Sequence, residues 1–201
     1  VAVTGEPTPN PGSMKFVPHG RPVLGAGTTT RSFKHHEDAS DFPLAVALFK
    51  LRGVSEVMLA EAHVTITKDT AFDWGDLEGR VEELLGHFLE AGMEVAKPGA
   101  LLKATASAAD YEPGSIEARV IEVLEERVKP YVQEDGGDIE FERFDHADGT
   151  LYVQMQGACA GCSKSFSTLQ VGVRNLMEHY VPEVKNIVGV EEDDDIPRPG
   201  R

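Results

Sequence analysis

Apolar residues recur along this chain in two rhythms, and each change of rhythm marks an element. After Pro43, Leu44, Leu48, Phe49 and Leu51 form one apolar face, which predicts a helix opening on the proline and stopping at Gly53. Val57 and Leu59, then Val64 and Ile66, alternate with period two and predict two strands, with Glu61 and Ala62 near the turn. A second helix is predicted after Asp73 or Asp76, with Leu77, Val81, Leu84, Leu85 and Phe88 on one face and Gly92 just past its end. Ahead of all these, Met14-Lys15-Phe16-Val17 reads as a short strand broken by Pro18, and residues 25–30 read as polar and flexible.

The same rhythms return in the second half. Ser115 is suited to cap a helix carrying Ile116, Val120, Val123, Leu124 and Val128, with Glu117 favourable in its first turn and Pro130 near its end. Asp135-Gly136-Gly137-Asp138 is a turn signal, after which Ile139 and Phe141 face one way on a strand. His146-Ala147-Asp148-Gly149 closes a hairpin, and Leu151, Val153 and Met155 alternate on the returning strand. A helix is predicted from about Lys164, with Phe166, Leu169, Val173, Leu176 and Tyr180 at helical spacing until Pro182, and a last strand over residues 184–190. Between the halves, residues 97–114 are rich in Ala, Gly, Ser and Pro without periodicity and read as a linker, with Leu101 and Leu102 available to dock. The expected layout is a domain over 1–96, a linker over 97–114, a domain over 115–192 and an acidic tail over 193–201. The expected fold class is α+β: two small α/β-layered domains joined by a flexible linker.

Charge narrows the function classes. The 201 residues carry 19 basic and 34 acidic side chains, for a net charge of −15. A protein that tracks nucleic-acid phosphates needs a basic face, so no nucleic-acid partner is expected, and the acidity reads as a solubility feature. No apolar run approaches the ~20 residues of a membrane span, so no membrane insertion is expected. Two cysteines cannot build the disulfide framework of a small secreted domain, which favours a reducing compartment. The opening residues carry no signal-peptide pattern, and the initial valine raises the expectation that a leader or tag has been removed.

Those two cysteines, Cys159 and Cys162, stand in Gly157-Ala158-Cys159-Ala160-Gly161-Cys162. Their spacing lets both thiolates reach one soft metal centre, yet most such centres want four protein ligands. One chain therefore carries half a site. The pair falls between a predicted strand and a predicted helix, at an amino end whose unpaired amides and dipole favour thiolate. Gly157 and Gly161 permit a tight turn and close approach to a bulky inorganic ligand; Ser163 is suited to cap the helix, and Lys164 adds positive charge. From Gly149 through Met177 there is no Asp or Glu, which suits an anionic cluster, although a buried strand and helix face would exclude carboxylates for their own reasons. A thioredoxin-like redox pair also sits between strand and helix, but the aromatic-Cys-Gly-Pro-Cys sequence is missing. A structural zinc site needs two more ligands, and none of the seven histidines stands at a convincing spacing. The plainest alternative is two buried cysteines without special chemistry.

Over residues 115–190 the chain resembles the NifU carboxy-terminal, or Nfu, domain. The shared features are the amphipathic first helix, Val128-Lys129-Pro130-Tyr131, Asp135-Gly136-Gly137-Asp138, the cysteine loop, Leu169 and Val181-Pro182-Glu183. Over residues 8–74 it resembles the amino-terminal domain of mitochondrial-type Nfu proteins, through Thr8-Pro9-Asn10-Pro11-Gly12-Ser13-Met14-Lys15-Phe16, Pro43-Leu44-Ala45, Leu48-Phe49, Gly53-Val54 and Val64-Thr65-Ile66-Thr67-Lys68 before Trp74. Ser163 departs from the proline that many members carry after the second cysteine.

The resemblance implies an iron–sulfur cluster scaffold and carrier rather than an enzyme. Cys159 and Cys162 would be the ligands, and two copies of the chain would hold one [4Fe–4S] cluster between them. Implied partners are a second copy, upstream cluster-assembly factors, and recipient apoproteins such as lipoyl synthase, aconitase-type enzymes or respiratory-complex subunits. The implied location is the mitochondrial matrix, with a bacterial cytoplasm as the alternative. The competing function is a CxxC thiol–disulfide oxidoreductase. His35, His36 and His63 are expected to be ordinary surface or loop histidines.

Overall fold

Alternating Val, Ile and Thr build the first sheet. The computed structural model describes residues 1–100, 106–160 and 163–190, with the backbone alone over 163–168. Strands β1 (Val3–Pro7), β2 (Ser13–Pro18), β3 (Arg31–Phe33), β4 (Val54–Leu59) and β5 (Val64–Lys68) form one antiparallel sheet in the order β1-β2-β5-β4-β3. Helices α1 (Pro43–Phe49) and α2 (Trp74–Glu90) supply the apolar layer, so Leu44, Leu48, Leu77, Val81 and Leu85 form one core with Phe16, Val57, Leu59, Val64 and Ile66. Gly53, at φ +101°, lets the chain reverse between α1 and β4 without Cβ strain. The two edge strands, β1 and β3, extend the sheet beyond the strands predicted from periodicity. Neither has an apolar alternation; backbone pairing from Val3 opposite Pro18 to Pro7 opposite Met14 recruits β1.

The second sheet has three strands. Helix α3 (Ile116–Val123) starts where Ser115 Oγ accepts the Ala118 amide at 3.2 Å. Loss of that cap in Ser115→Ala is expected to cost about 1 kcal/mol in chemical denaturation of the whole chain. Instead of stopping near Pro130, the helical path widens into a π-turn over Leu124–Val128 and continues as α4 (Lys129–Glu134). The Lys129 amide reaches back five residues to Leu124 O, so the ladder is already loosened where Pro130 brings no donor. Strands β6 (Gly137–Asp145) and β7 (Thr150–Gly157) make an antiparallel hairpin, and α5 (Ser163–Tyr180) crosses over to β8 (Asn186–Val190), parallel to β7. Val184, expected to begin the last strand, instead closes a turn through its amide to Val181 O at 3.0 Å. Val120, Leu124, Ile139, Leu151, Val153 and Met177 form this second core. The arrangement is α+β, with two domains built on separate sheets.

Residues 106–114 approach the second domain as a short 3₁₀ turn (Ala108–Asp110) closed by a Ser107–Asp110 capping box, and the Tyr111 ring meets Phe141 edge-on at 5.8 Å. Leu101, Leu102 and the acidic tail over 193–201 lie outside the described residues.

The face of the first sheet opposite α1 and α2 carries Ser13, Lys15, Met58 and Thr65. In a two-layer domain standing alone, that face would meet water. Here Met58 and Thr65 are each 1% exposed, because β7 lies against β4 and β5, with Gly157 over Met58 and Gly136 over Thr65.

Candidate metal centre

The carboxyl end of β7 delivers the chain to the cysteine loop. Gly157, the last residue of β7, sits at φ +63° directly opposite Gly137, the first residue of β6. The Ala158 amide donates to Gly136 O at 3.2 Å, and the Ala160 amide to Gly157 O at 3.0 Å, turning the chain toward α5. Cys159 is thereby tucked beneath β6 at 7% exposure, in contact with the second core. The fit is tight: a Cβ on Gly137 would overlap Cys159 Sγ and approach Gln156 O to 3.1 Å. Gly137→Ala is accordingly expected to lose about 1–3 kcal/mol of stability and to push the thiol out of place. Thermal denaturation together with the alkylation rate of Cys159 checks both effects.

Helix α5, 18 residues long, begins at Ser163, immediately after Cys162. The expected placement of the loop at a helix amino end is therefore met, and unpaired amides with the helix dipole favour thiolate there. Cys162 and the Ser163 side chain, expected to cap the helix, lie outside the described residues.

Carboxylates come closer than the acid-free run in the sequence implies. A cavity of about 490 Å³ beside Cys159 is lined by Asp135 and Arg127 among mainly apolar residues, including Val132, Leu169 and Val173, with Pro9 of the first domain at its wall. Asp138 is buried one residue beyond Gly137. Burial pushes its carboxyl up, opposed by the Lys129 ammonium, a hydrogen bond from Thr30 and the Ile139 amide at 2.9 Å. Burial alone would lower the Lys129 amine, but Asp138 and a 2.8 Å contact with Glu125 outweigh it and leave the amine raised. The buried Asp138 carboxyl and the part-buried Lys129 ammonium thus favour each other's charged forms, one residue beyond the glycine that packs on Cys159.

Two features were missed from the sequence alone. Asp135-Gly136-Gly137-Asp138 reads there as a turn, whereas its two glycines pack directly on the cysteine loop and Asp135 lines the cavity beside Cys159; the doubled glycine ahead of a strand was the available signal. His35 and His36 are exposed as expected, but His63 is 4% exposed, and its Nε2 has no hydrogen-bond partner among the described residues. Among the described residues no group of three or more His, Cys, Asp or Glu side chains is placed to hold a metal ion, and no helix is long and apolar enough to cross a membrane.

Comparison with known proteins divides the chain along the same two sheets. The family model "Scaffold protein Nfu/NifU N terminal" matches residues 3–92, and "NifU-like domain" matches residues 120–188. The chain belongs to the Nfu/NifU family. It is 37% identical over 94% of its length to "NifU-like protein 5, mitochondrial" of Arabidopsis thaliana, spanning 66% of that relative. It is 32% identical to "NifU-like protein C1709.19c" of Schizosaccharomyces pombe, again over 94% of its length and 72% of the relative. To the human "NFU1 iron-sulfur cluster scaffold homolog, mitochondrial" it is 34% identical, over 93% of this chain and 71% of that one. The chain thus spans about two thirds of the length of these relatives. A solution structure of a NifU-like protein from Saccharomyces cerevisiae is 24% identical with a TM-score of 0.45, over 49% of this chain and 86% of that one. The family membership supports a scaffold role and fits a protein that is not an enzyme.

Proposed function

We propose that this family member is an iron–sulfur cluster carrier. Cys159 and Cys162 from each of two copies hold one [4Fe–4S] cluster as cargo, and the cluster passes to a recipient apoprotein. The observation that carries this reading is the placement of Cys159 in a glycine-walled loop between β7 and α5, in a chain whose two cysteines are only half of a four-ligand set. Thiolates are the natural ligands of such clusters. A cluster shared across a chain boundary leaves when either chain departs, so a recipient with a complete ligand set of its own can take it. Recipients of this kind include lipoyl synthase, aconitase-type enzymes and respiratory-complex subunits, with upstream cluster-assembly factors as donors. The relatives named mitochondrial support a mitochondrial location, with the matrix as the compartment where such recipients work.

Transfer is the test. Reconstituted protein mixed anaerobically with an apo aconitase-type enzyme is expected to restore that enzyme's activity faster than free iron and sulfide do. Equal rates, or catalysed disulfide reduction by the iron-free chain, would favour the oxidoreductase instead.

A further inference from the structure

We infer that the amino-terminal sheet is a cap on the cysteine loop, and that it must part from the loop before a second copy of the chain can share a cluster there. The inference rests on the reading of Cys159 as a ligand. Four polar contacts join the first domain to the segments that flank that residue, three to backbone carbonyls and one to a carboxylate. Thr65 Oγ1 donates to Gly136 O at 2.7 Å in a buried position, and Lys15 Nζ donates to Glu134 O at 3.1 Å. Asn10 Nδ2 donates to Ala158 O at 3.4 Å, adjacent to Cys159, and Thr30 hydrogen-bonds the Asp138 carboxylate. Pro9, next to Asn10, borders the cavity that Cys159 lines.

Glycines make the approach possible. A Cβ on Gly157 would come within 2.5 Å of Met58 Sδ, and one on Gly136 within 3.0 Å of Thr8 Cγ2 and 3.3 Å of Thr65 Oγ1. The surfaces therefore meet backbone to side chain, on the residues that immediately precede each arm of the thiol's loop. A second chain must bring its own thiolates to this place, and the first domain already occupies one side of it.

The chemistry of the contact is that of a reversible one. Apart from Met58 and Pro9, the first domain presents Thr, Asn and Lys side chains, whose hydrogen bonds to backbone carbonyls can be exchanged for hydrogen bonds to water. Interfaces of this kind within a chain permit relative domain motion. Through Gly136 O and Ala158 O the cap thus steadies the backbone that tucks Cys159 beneath β6 in the single chain, and it yields the loop when a second chain competes for it.

Alkylation of Cys159 by iodoacetamide tests this on the iron-free 201-residue chain carrying Cys162→Ser, which leaves one thiol. Thr65→Arg places a charged side chain against Gly136 and is expected to speed alkylation at least tenfold. The milder Asn10→Ala/Lys15→Ala variant removes two hydrogen bonds and is expected to speed it about fivefold or more; it decides the matter if Thr65→Arg fails to fold by circular dichroism. Rates within twofold of the parent in the folded variants would overturn the cap. Because no iron is present, a chain that never binds a cluster still answers the question. A chain that binds one with unchanged alkylation keeps the carrier function and loses the cap.

Discussion

Replacing either Cys159 or Cys162 with alanine is expected to abolish cluster binding while leaving the fold intact. The effect is large because of symmetry. In a bridged pair of identical chains, one substitution removes two of four ligands, and two thiolates do not retain a four-iron cube. The cost to the apoprotein is small by comparison. Cys159 is buried against the second core, and trimming its sulfur forfeits about 1 kcal/mol of packing, well below the stability of an ordinary domain. Visible absorbance, iron content and circular dichroism of each variant separate the two effects. A variant that keeps the cluster would contradict the ligand assignment, and one that unfolds would contradict the small packing cost.

The second large effect is acid sensitivity through His63. Burial, reinforced by the nearby Lys15 ammonium, lowers its pKa to about 4, against 6.5 for the free side chain. Between those values the unfolded chain binds a proton that the folded chain refuses. Stability therefore rises with pH across this window: the contribution is complete above about 6.5 and is lost as pH falls toward 4. Between pH 7.5 and 4.5 the term amounts to roughly 2–3 kcal/mol. His63→Gln carries no titrating proton, so its stability is expected to fall less steeply than that of the parent by that amount. Urea titrations at the two pH values measure it; parallel pH profiles would show that His63 is not excluded from protonation by the fold.

These two predictions stand on residues of different legibility. The cysteine pair was readable because a soft-metal half-site is a local pattern: three residues of spacing, flanking glycines, a strand before and a helix after. His63 was not, because nothing local distinguishes a buried histidine at the start of a strand from an exposed one. The same division runs through the fold. The strands and helices with regular apolar spacing, β2, β4 to β7, α1, α2 and α5, follow from periodicity. Edge strands β1 and β3 do not, since they join the sheet by backbone pairing without an apolar alternation of their own. Lys15 and Thr65 stand on the opposite side of their strands from Met14, Phe16, Val64 and Ile66, a side that would meet water in the isolated layer. Only the second domain, laid against that face, buries Thr65, and a contact between distant segments leaves no rhythm in either. For the same reason Asp135-Gly136-Gly137-Asp138 read as a turn and a shared family motif without its packing role: Gly136 O accepts the Ala158 amide, Gly137 packs on Cys159 and Asp135 lines the adjoining cavity.

The central claim is one cluster shared by two chains through four cysteine thiolates. Anaerobic reconstitution of the full chain with iron and sulfide, read by visible absorption, iron and sulfide content and mass in solution, tests it most directly. A [4Fe–4S] spectrum at about two irons per chain, carried by a dimer, is the predicted result. A colourless monomer that reduces disulfides would contradict the account and make the thiol pair a redox centre instead.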